Sequence, residues 1–338
     1  MYQIMKTEKR HSSRNGVSLY LSICFPLAIQ LLFLFILDAK AQVKQNINLT
    51  KELEVGLPDG DENYIFGLIA DAKIDNLGNI YILDIKLNTV SKFSRDGKFI
   101  LRFGNKGSGP GEFEHPQTIL LDPLNQIYIL DARKVIIFND KGNFIRSFPL
   151  DFRGIDIAIN EKGNLLVLGV RNDQIINVYN HDGKYLYSFA NIIKNTEEYS
   201  KNKNNQLFHT PLRVWTNGNR IFLMNPYKYE ILIYKNDKLI RRLTRNSADY
   251  LKPEIKESSS GSNVVVSGNY IYENNSFIIV YYNGNKASWL DIYENEKYIM
   301  STQVKGTLFS IDSNGKLYFI ENDEYPRVIR YSKIPILQ

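Results

Sequence analysis

The chain has 338 residues and a formal net charge of +6. The first 41 residues hold five basic and two acidic residues, so the remainder carries only +3. A charge this small excludes a general nucleic-acid-binding or membrane-binding surface. The only cysteine is Cys24. The chain after residue 41 therefore has neither a disulfide nor thiol chemistry.

Residues 1–41 have the pattern of a secretory signal peptide. Four basic residues precede the apolar stretch 17–37, and Ala39 and Ala41 offer the small side chains that signal peptidase reads. Cleavage after Ala41 would leave residues 42–338 as the mature domain. The alternative is an uncleaved membrane anchor, because an apolar stretch of this length can span a bilayer. Either reading predicts export to the periplasm, the outer membrane or the cell surface, with membrane contact only through such an anchor.

Residues 69–116 contain one complete structural unit. Three runs with alternating apolar residues lie at 80–83, 90–93 and 99–103, and Asp96-Gly97 separates the last two. Alternation at period two predicts strands, and Asp-Gly between two such runs predicts a hairpin turn. A further strand is predicted near 69–74. The unit is thus four antiparallel strands joined by short turns.

This unit returns along the chain in weakening copies. The second strands of the copies are predicted to begin at Ile80, Ile127, Leu165, Ile221, Phe277 and Leu317. A repeat of about 40–50 residues with four strands predicts propeller blades. The expected fold is therefore all-β, a six-bladed β-propeller of four-stranded antiparallel blades. Because the last copy has only three strands, we expect a strand within 43–55 to complete it and close the ring.

Some of these copies carry a known signature. Residues 103–116, FGNKGSGPGEFEHP, resemble the inter-blade signature of NHL-repeat β-propellers, and 78–84 and 125–131 resemble the core of that repeat. With a signal peptide in front, the chain is similar to exported six-bladed β-propeller proteins of Bacteroidetes. The resemblance implies a ring used mostly for binding. The NHL class also includes a zinc-dependent amidating lyase, and related folds include calcium-dependent lactonases, but their metal sites do not match this sequence.

The turns after the second strands carry basic residues. Strand alternation places these turns on the same face as the links between blades. The candidate ligand-binding residues there are Lys86, Arg133, Lys134, Arg171, Tyr227, Lys228, Tyr229, Lys286 and Arg327. Arg and Lys suit carboxylates or phosphates, and the rings of Tyr227, Tyr229, Trp215 or Trp289 suit sugars. The alternative is structural, because a basic residue before the third strand resembles a regular feature of NHL repeats.

Acidic residues at strand ends are expected to be structural. Asp84 and Asp131 close second strands, where a carboxylate can accept hydrogen bonds from backbone N–H groups of the turn. The residues that end first strands are expected to do the same on the opposite face; they are Asp75, Asp122, Asn160 and Asp312.

Catalytic and metal motifs are missing from the sequence. The four histidines have no ligand spacing, there is no G-x-S-x-G elbow, and no helix follows the glycine-rich stretch 104–111. We therefore predict no catalytic residue, no cofactor and no zinc site. A Ca²⁺ ion on the channel axis, held by Asp or Asn oxygens, stays an open alternative.

The leading functional hypothesis is an exported binding module. It would recognise a glycan, an anionic cell-wall fragment or a protein partner at the loop-rich face, and no nucleic acid. The first alternative is a metal-dependent hydrolase or lyase with a site on the propeller axis. The second is a structural subunit of an outer-membrane assembly. Two long polar segments, 191–210 and 244–262, are expected to be functional or mobile loops on one face.

Overall fold

The computed structural model of the protein describes residues 47–192, 213–225, 227–246, 250, 254–258, 261–265, 269–274, 276–284 and 287–335. The predicted signal peptide and most of the long segment 191–210 lie outside these residues. Within the described ranges, no helix is long and apolar enough to cross a membrane.

Six four-stranded antiparallel sheets form the fold, as the sequence predicts. The first contains β2 (Ile69–Ile74), β3 (Ile80–Asp84), β4 (Thr89–Phe93) and β5 (Phe99–Phe103). The second contains β6 (Pro116–Leu121), β7 (Ile127–Asp131), β8 (Lys134–Phe138) and β9 (Phe144–Pro149). The third contains β10 (Asp156–Ile159), β11 (Leu165–Arg171), β12 (Gln174–Tyr179) and β13 (Tyr185–Asn191).

The remaining three sheets have the same strand order. The fourth contains β14 (Val214–Asn217), β15 (Arg220–Met224), β16 (Glu230–Lys235) and β17 (Lys238–Thr244). The fifth contains β20 (Asn269–Glu273), β21 (Phe277–Asn283), β22 (Ser288–Glu294) and β23 (Lys297–Val304). The sixth contains β24 (Thr307–Ile311), β25 (Leu317–Glu321), β26 (Arg327–Tyr331) and β1 (Lys51–Val55).

The six first strands stand around a central axis. Neighbouring first strands contact one another from β2 through β6, β10, β14 and β20 to β24, and β24 contacts β2. Five second strands begin at the predicted residue, and the fourth begins one residue early at Arg220. The chain is therefore a six-bladed β-propeller, with the first strand of each blade innermost.

The N-terminal strand closes the ring, which confirms the prediction from the missing strand. β1 pairs antiparallel with β26, with Lys51 opposite Tyr331 and Val55 opposite Val328. Val55 is completely buried, in a cluster that joins the sixth blade to the first. Closure in this way removes the free edge that a three-stranded last blade would expose.

Apolar packing between blades holds the ring together. Each hydrophobic cluster of the described residues joins two neighbouring blades, and together the clusters cover all six interfaces. Second strands such as β3 and β7 are buried at every residue because a blade faces a neighbour on both sides. This explains why their sequences are nearly continuous apolar runs.

A hairpin in the second half of the chain was not anticipated, whereas the predicted fifth blade is confirmed. A two-stranded hairpin of β18 (Glu254–Ser258) and β19 (Gly261–Val265) begins within the long segment 244–262 and extends three residues beyond it. The fifth blade, whose repeat is weak in sequence, forms a complete four-stranded sheet.

Candidate functional site

One end of the ring, which we call the loop-rich face, carries the links between blades and the turns after the second strands. Asp84 joins these two parts: it accepts hydrogen bonds from the backbone N–H groups of Gly67 at 2.6 Å and of Lys86 and Leu87 at 2.9 Å. Asp131 likewise accepts from Glu114 at 2.9 Å. The predicted structural role of these carboxylates is confirmed.

On the opposite face, the side chains that end the first strands also accept hydrogen bonds from backbone N–H groups. Asp75 accepts from the N–H groups of Leu77 and Asn79, and Asp122 accepts from those of Leu124 and Gln126, at 2.8–2.9 Å. Asn160 and Asp312 accept equivalent pairs of bonds. This prediction is also confirmed.

Most of the basic residues predicted to bind an anion are paired with carboxylates. The pairs are Lys134 with Asp131 at 3.4 Å, Arg171 with Asp151 at 2.9 Å, Lys228 with Glu230 at 3.2 Å, and Arg327 with Glu321 and Asp323. Lys86 and Arg133 are exposed and form no ion pair with any described residue. Lys286 lies outside the described residues. The predicted ligand-binding role of this set stays a prediction.

Tyr227 and Tyr229 do not face solvent. Both are buried, and the Tyr229 hydroxyl accepts a hydrogen bond from Tyr293 at 2.9 Å. Burial, together with the nearby Asp291 carboxylate, raises the pKa of Tyr229 well above its usual value. Tyr229 belongs to the hydrophobic cluster between the fourth and fifth blades, and the predicted ligand-binding role of both tyrosines stays a prediction.

A cavity of about 430 Å³ lies on the axis, lined by residues of all six blades. Its polar lining includes Asp71 and Lys73 from β2, Asp156 from β10, and Arg213, which immediately precedes β14. Its aromatic lining includes Trp215, Tyr270 and Tyr272. Of these, only Trp215 was considered in the sequence analysis, and it was placed there among rings at the loop-rich face.

Four neighbouring blades contribute to a buried polar group near the loop-rich end of this cavity. Thr118 Oγ1 lies 2.5 Å from Asp71 Oδ2 and 3.0 Å from Asp156 Oδ1. The other Asp156 oxygen accepts a bond from the Val214 N–H at 2.9 Å. Arg213 Nη1 lies 3.3 Å from both carboxylates and 3.1 Å from Thr118 Oγ1. We call Asp71, Thr118, Asp156 and Arg213 the axial cluster.

The two carboxyl groups of the axial cluster differ chemically. Burial raises the pKa of Asp71, but Lys73 and Arg213 outweigh this effect and bring it to about 2. Burial raises the pKa of Asp156, and Arg213 offsets this only in part. A threonine hydroxyl has one proton, which it donates to one oxygen at a time. With Thr118 donating to Asp71, a protonated Asp156 can donate to Thr118.

The cations of the cavity differ in how much of their hydrogen-bonding capacity is used. Lys73 Nζ donates to both oxygens of Asp71 at 2.9 Å and to the Ala72 carbonyl at 3.2 Å. Arg213 uses only Nη1 in the axial cluster, and its side chain is 29% exposed. Its Nε and Nη2 donate to no residue in the part of the chain that the structure describes.

Among the described residues there is no group of three or more His, Cys, Asp or Glu side chains arranged to hold a metal ion. The carboxylate of Asp71 already faces Lys73 and Arg213, and that of Asp156 faces Arg213. Both carboxylates thus already face cations of the protein, and an axial Ca²⁺ ion stays a prediction.

The sequence contained a signal for the axial cluster. Asp71, Thr118 and Asp156 each lie four residues before the Asp or Asn that ends a first strand, at positions 75, 122 and 160. Aligning the repeats on those turn residues would have brought the three polar side chains into register. Their position on innermost strands would then have directed them to the axis.

Several solved structures share this fold. A Bacteroides fragilis protein named as exported has a TM-score of 0.61 at 16% identity, covering 88% of this chain and 97% of that one. A Bacteroides vulgatus member of the DUF4221 family has a TM-score of 0.53 at 13% identity, covering 85% and 98%. A Staphylococcus aureus virginiamycin B lyase with quinupristin has the same TM-score and identity, covering 85% and 100%. At these identities the likeness shows the fold alone.

The sequence comparisons give one curated relative and one family. The Drosophila melanogaster protein brain tumor is 24% identical over 174 residues, a match that spans 48% of this chain and 16% of that protein. This chain therefore corresponds to only a small part of that relative. Residues 61–331 match the family described as a domain of unknown function, DUF4934, and the chain belongs to that family.

Proposed function

We propose that the protein is an exported binding module that receives a glycan or another cell-envelope fragment in its axial cavity, from the loop-rich face. The observation that carries this proposal is the cavity of about 430 Å³, which combines aromatic rings with a few polar groups. Pockets that hold small ligands have volumes of about 300–1,000 Å³ and this kind of lining.

The side chains that line the axial cavity suit a sugar better than those of the loop-rich face do. Aromatic faces pack against the apolar faces of sugar rings, and Arg, Lys and Asp side chains bond to hydroxyl or carboxylate groups. Four of the basic residues on the loop-rich face are paired with carboxylates, whereas the Nε and Nη2 donors of Arg213 have no acceptor among the described residues. A ligand would therefore gain more binding free energy in the axial cavity than on the loop-rich face.

Export is part of the proposal. The pattern of residues 1–41 predicts a signal peptide, and the chain is similar to a Bacteroides fragilis protein named as exported. We propose the periplasm, the outer membrane or the cell surface as its location.

The test is a thermal unfolding scan of the protein against a panel of glycans and cell-wall fragments. A ligand that binds only the folded state raises the melting temperature. Ala70 lines the cavity, so Ala70→Phe should fill it and abolish the shift. The control is Leu77→Ser, which changes a 71% exposed residue on the opposite face. A shift that Ala70→Phe leaves intact would contradict axial binding.

The same scan tests the metal-dependent hydrolase or lyase. A melting temperature that falls with EDTA and is restored by Ca²⁺ or Zn²⁺ would favour that alternative over a binding module. The axial carboxylates would then be the first residues to replace.

A second candidate function is a subunit of a larger envelope assembly. Exposed apolar residues recur at the second or third residue of outermost strands: Ile100 on β5, Ile145 on β9, Leu186 on β13 and Ile240 on β17 are 42–53% exposed. Such a recurring row favours a protein partner on the outer surface. Replacing all four by Lys should release the protein from a large complex in sedimentation of solubilised envelopes. Unchanged sedimentation of the variant would contradict this role.

A further inference from the structure

Arg213 presents to the axial cavity a pair of donors that no described residue accepts from. Its Nη1 atom is held by Asp71, Thr118 and Asp156, which come from three other blades. Held at this atom, the guanidinium plane has little freedom to turn. The Nε and Nη2 donors on its other edge have no partner among residues 47–192 and the later described ranges. Two parallel donors in a fixed plane match the two oxygens of a carboxylate.

Aromatic rings lie in the same cavity and next to Arg213 in sequence. Trp215 is two residues further along the chain, and its ring meets that of Tyr270 edge to face, with centroids 6.3 Å apart. Both side chains are only partly buried and line the cavity. Tyr272 lines it as well. A ligand whose carboxylate lies on Arg213 would thus have aromatic surface available for its body.

The charge of the cavity tolerates one added anion. Lys73 and Arg213 formally balance Asp71 and Asp156, and Glu273 pairs with Arg220. Burial raises the pKa of Asp156 and thereby favours its neutral form. When Asp156 holds a proton, the charges of Lys73 and Arg213 exceed that of Asp71, so the cavity carries a net positive charge. A ligand carboxylate restores neutrality in a cavity where an unpaired charge is costly.

We infer that the axial cavity binds a sugar acid, with the ligand carboxylate on the Nε–Nη2 edge of Arg213 and the sugar ring against Trp215 or Tyr270. This inference rests on the proposed function and names the ligand class for the same cavity. A uronic acid is the simplest compound that carries both groups.

Trp215 gives a direct readout, because the chain has only two tryptophans, Trp215 and Trp289. In a full-length Trp289→Phe variant, all tryptophan fluorescence comes from Trp215. We expect D-galacturonate or D-glucuronate to change this fluorescence in a saturable way. The affinity for the parent sugars D-galactose and D-glucose should be lower by about tenfold or more, because these sugars lack the charge-assisted bonds to Arg213.

Arg213→Lys separates the ligand-binding role from the structural one. A lysine keeps the positive charge beside Asp71 and Asp156 but removes the second pair of donors. We expect the melting temperature to stay close to that of the parent and uronate affinity to fall about tenfold or more. Arg95→Lys, at an exposed residue on the opposite face, is the matched control and should leave affinity unchanged.

Three results would overturn the inference: no response to either uronate, equal affinity for the uronate and its parent sugar, or full affinity in Arg213→Lys. The second result would leave the proposed function standing, because the cavity would still bind a glycan. If no ligand in the wider panel gave a shift that Ala70→Phe removed, the proposed function would fail as well.

Discussion

Asp71 and Asp156 occupy nearly the same place in the fold, yet they contribute to stability in opposite ways. The pKa of Asp71 falls from its usual 3.8 to about 2, so this carboxyl stabilises the folded state above about pH 4. That contribution is lost as the pH falls towards 2. The pKa of Asp156 is raised, so the folded state holds its proton more tightly than the unfolded state does. Its contribution is lost as the pH rises through the folded-state pKa.

This difference predicts unequal effects of the same substitution. Asp71→Asn removes the charge that Lys73 and Arg213 face, and should lower the free energy of unfolding at pH 7 by about 3 kcal/mol. Asp156→Asn resembles the protonated carboxyl, because its oxygen can accept from Val214 and its amide can donate to Thr118. It should cost less than about 1 kcal/mol. Urea unfolding of both variants provides the measurement.

The pH dependence gives a second check on the same pair. Wild-type protein should lose stability as the pH rises through the folded-state pKa of Asp156, and Asp156→Asn should lack that loss. Equal destabilisation by the two substitutions, or a pH profile that Asp156→Asn does not alter, would contradict this account of the axial cluster.

Sequence reasoning succeeded for single residues whose partners are close in the chain. Asp75 and Asp84 bond to N–H groups within a few residues, and such turn chemistry can be predicted from local sequence. It missed Arg213, whose partners lie 57, 95 and 142 residues away. It also treated Tyr229 as a surface ring, because burial between blades depends on a neighbour that the local sequence does not specify.

At the scale of elements, the turns between third and fourth strands lock neighbouring blades together. Gly142 lies against the Phe103 ring of the preceding blade, and Gly183 lies against Phe148 in the same way. Gly97 lies against Leu53 and Val55 of the closing strand. The Asp-Gly signal that predicted the hairpins therefore also marks contacts between blades, which a hairpin signal alone does not reveal.

Two glycines with similar φ allow the cost of losing this contact geometry to be distinguished from the cost of backbone strain. Gly163 and Gly183 have φ of +74° and +83°, but only an added Cβ at Gly183 would meet atoms, at 2.4–3.0 Å in Phe148. Gly163→Ala should cost about 1 kcal/mol of unfolding free energy. Gly183→Ala should cost about 1–3 kcal/mol more, because the outer strand of the second blade must move. Equal costs in chemical denaturation would show that the contact is dispensable.

The strands of the first blades were predictable because their period-two pattern is strong, and the later ones followed from the repeat position. The start of each second strand followed from the onset of an apolar run, and burial on both faces explains why that run is nearly continuous. The β18–β19 hairpin was missed because its segment is polar and belongs to no repeat. The position of Arg213 was equally hard to predict, because this residue follows a long segment without a repeat signature.

At the scale of the whole molecule, stability depends on a ring closed by a strand from the other end of the sequence. A chain that begins at residue 57 lacks β1 and exposes the edge of β26. It should melt at a lower temperature than the complete chain. A synthetic peptide of residues 47–56 added in excess should restore part of the loss by pairing with β26.

The control peptide carries Val55→Asp, which places a charge at a completely buried position. It should give no restoration, because the charge would have to enter the core between the sixth and first blades. A melting temperature that does not change on truncation would mean that the three-stranded blade is sufficient to close the ring.

The same strand dictates an order of events during biogenesis. Its partners at 327–331 follow every other strand of the ring in the sequence, whereas β1 precedes every blade, so β1 is synthesised first and β26 last among these strands. Thr50 and Ser332, which bond across this seam, are 282 positions apart. β1 must stay unpaired until β26 has been synthesised after the other blade strands, and contacts this distant in sequence form slowly. Any factor that protects the chain before then would have to shield both the waiting strand and the open edge of β26.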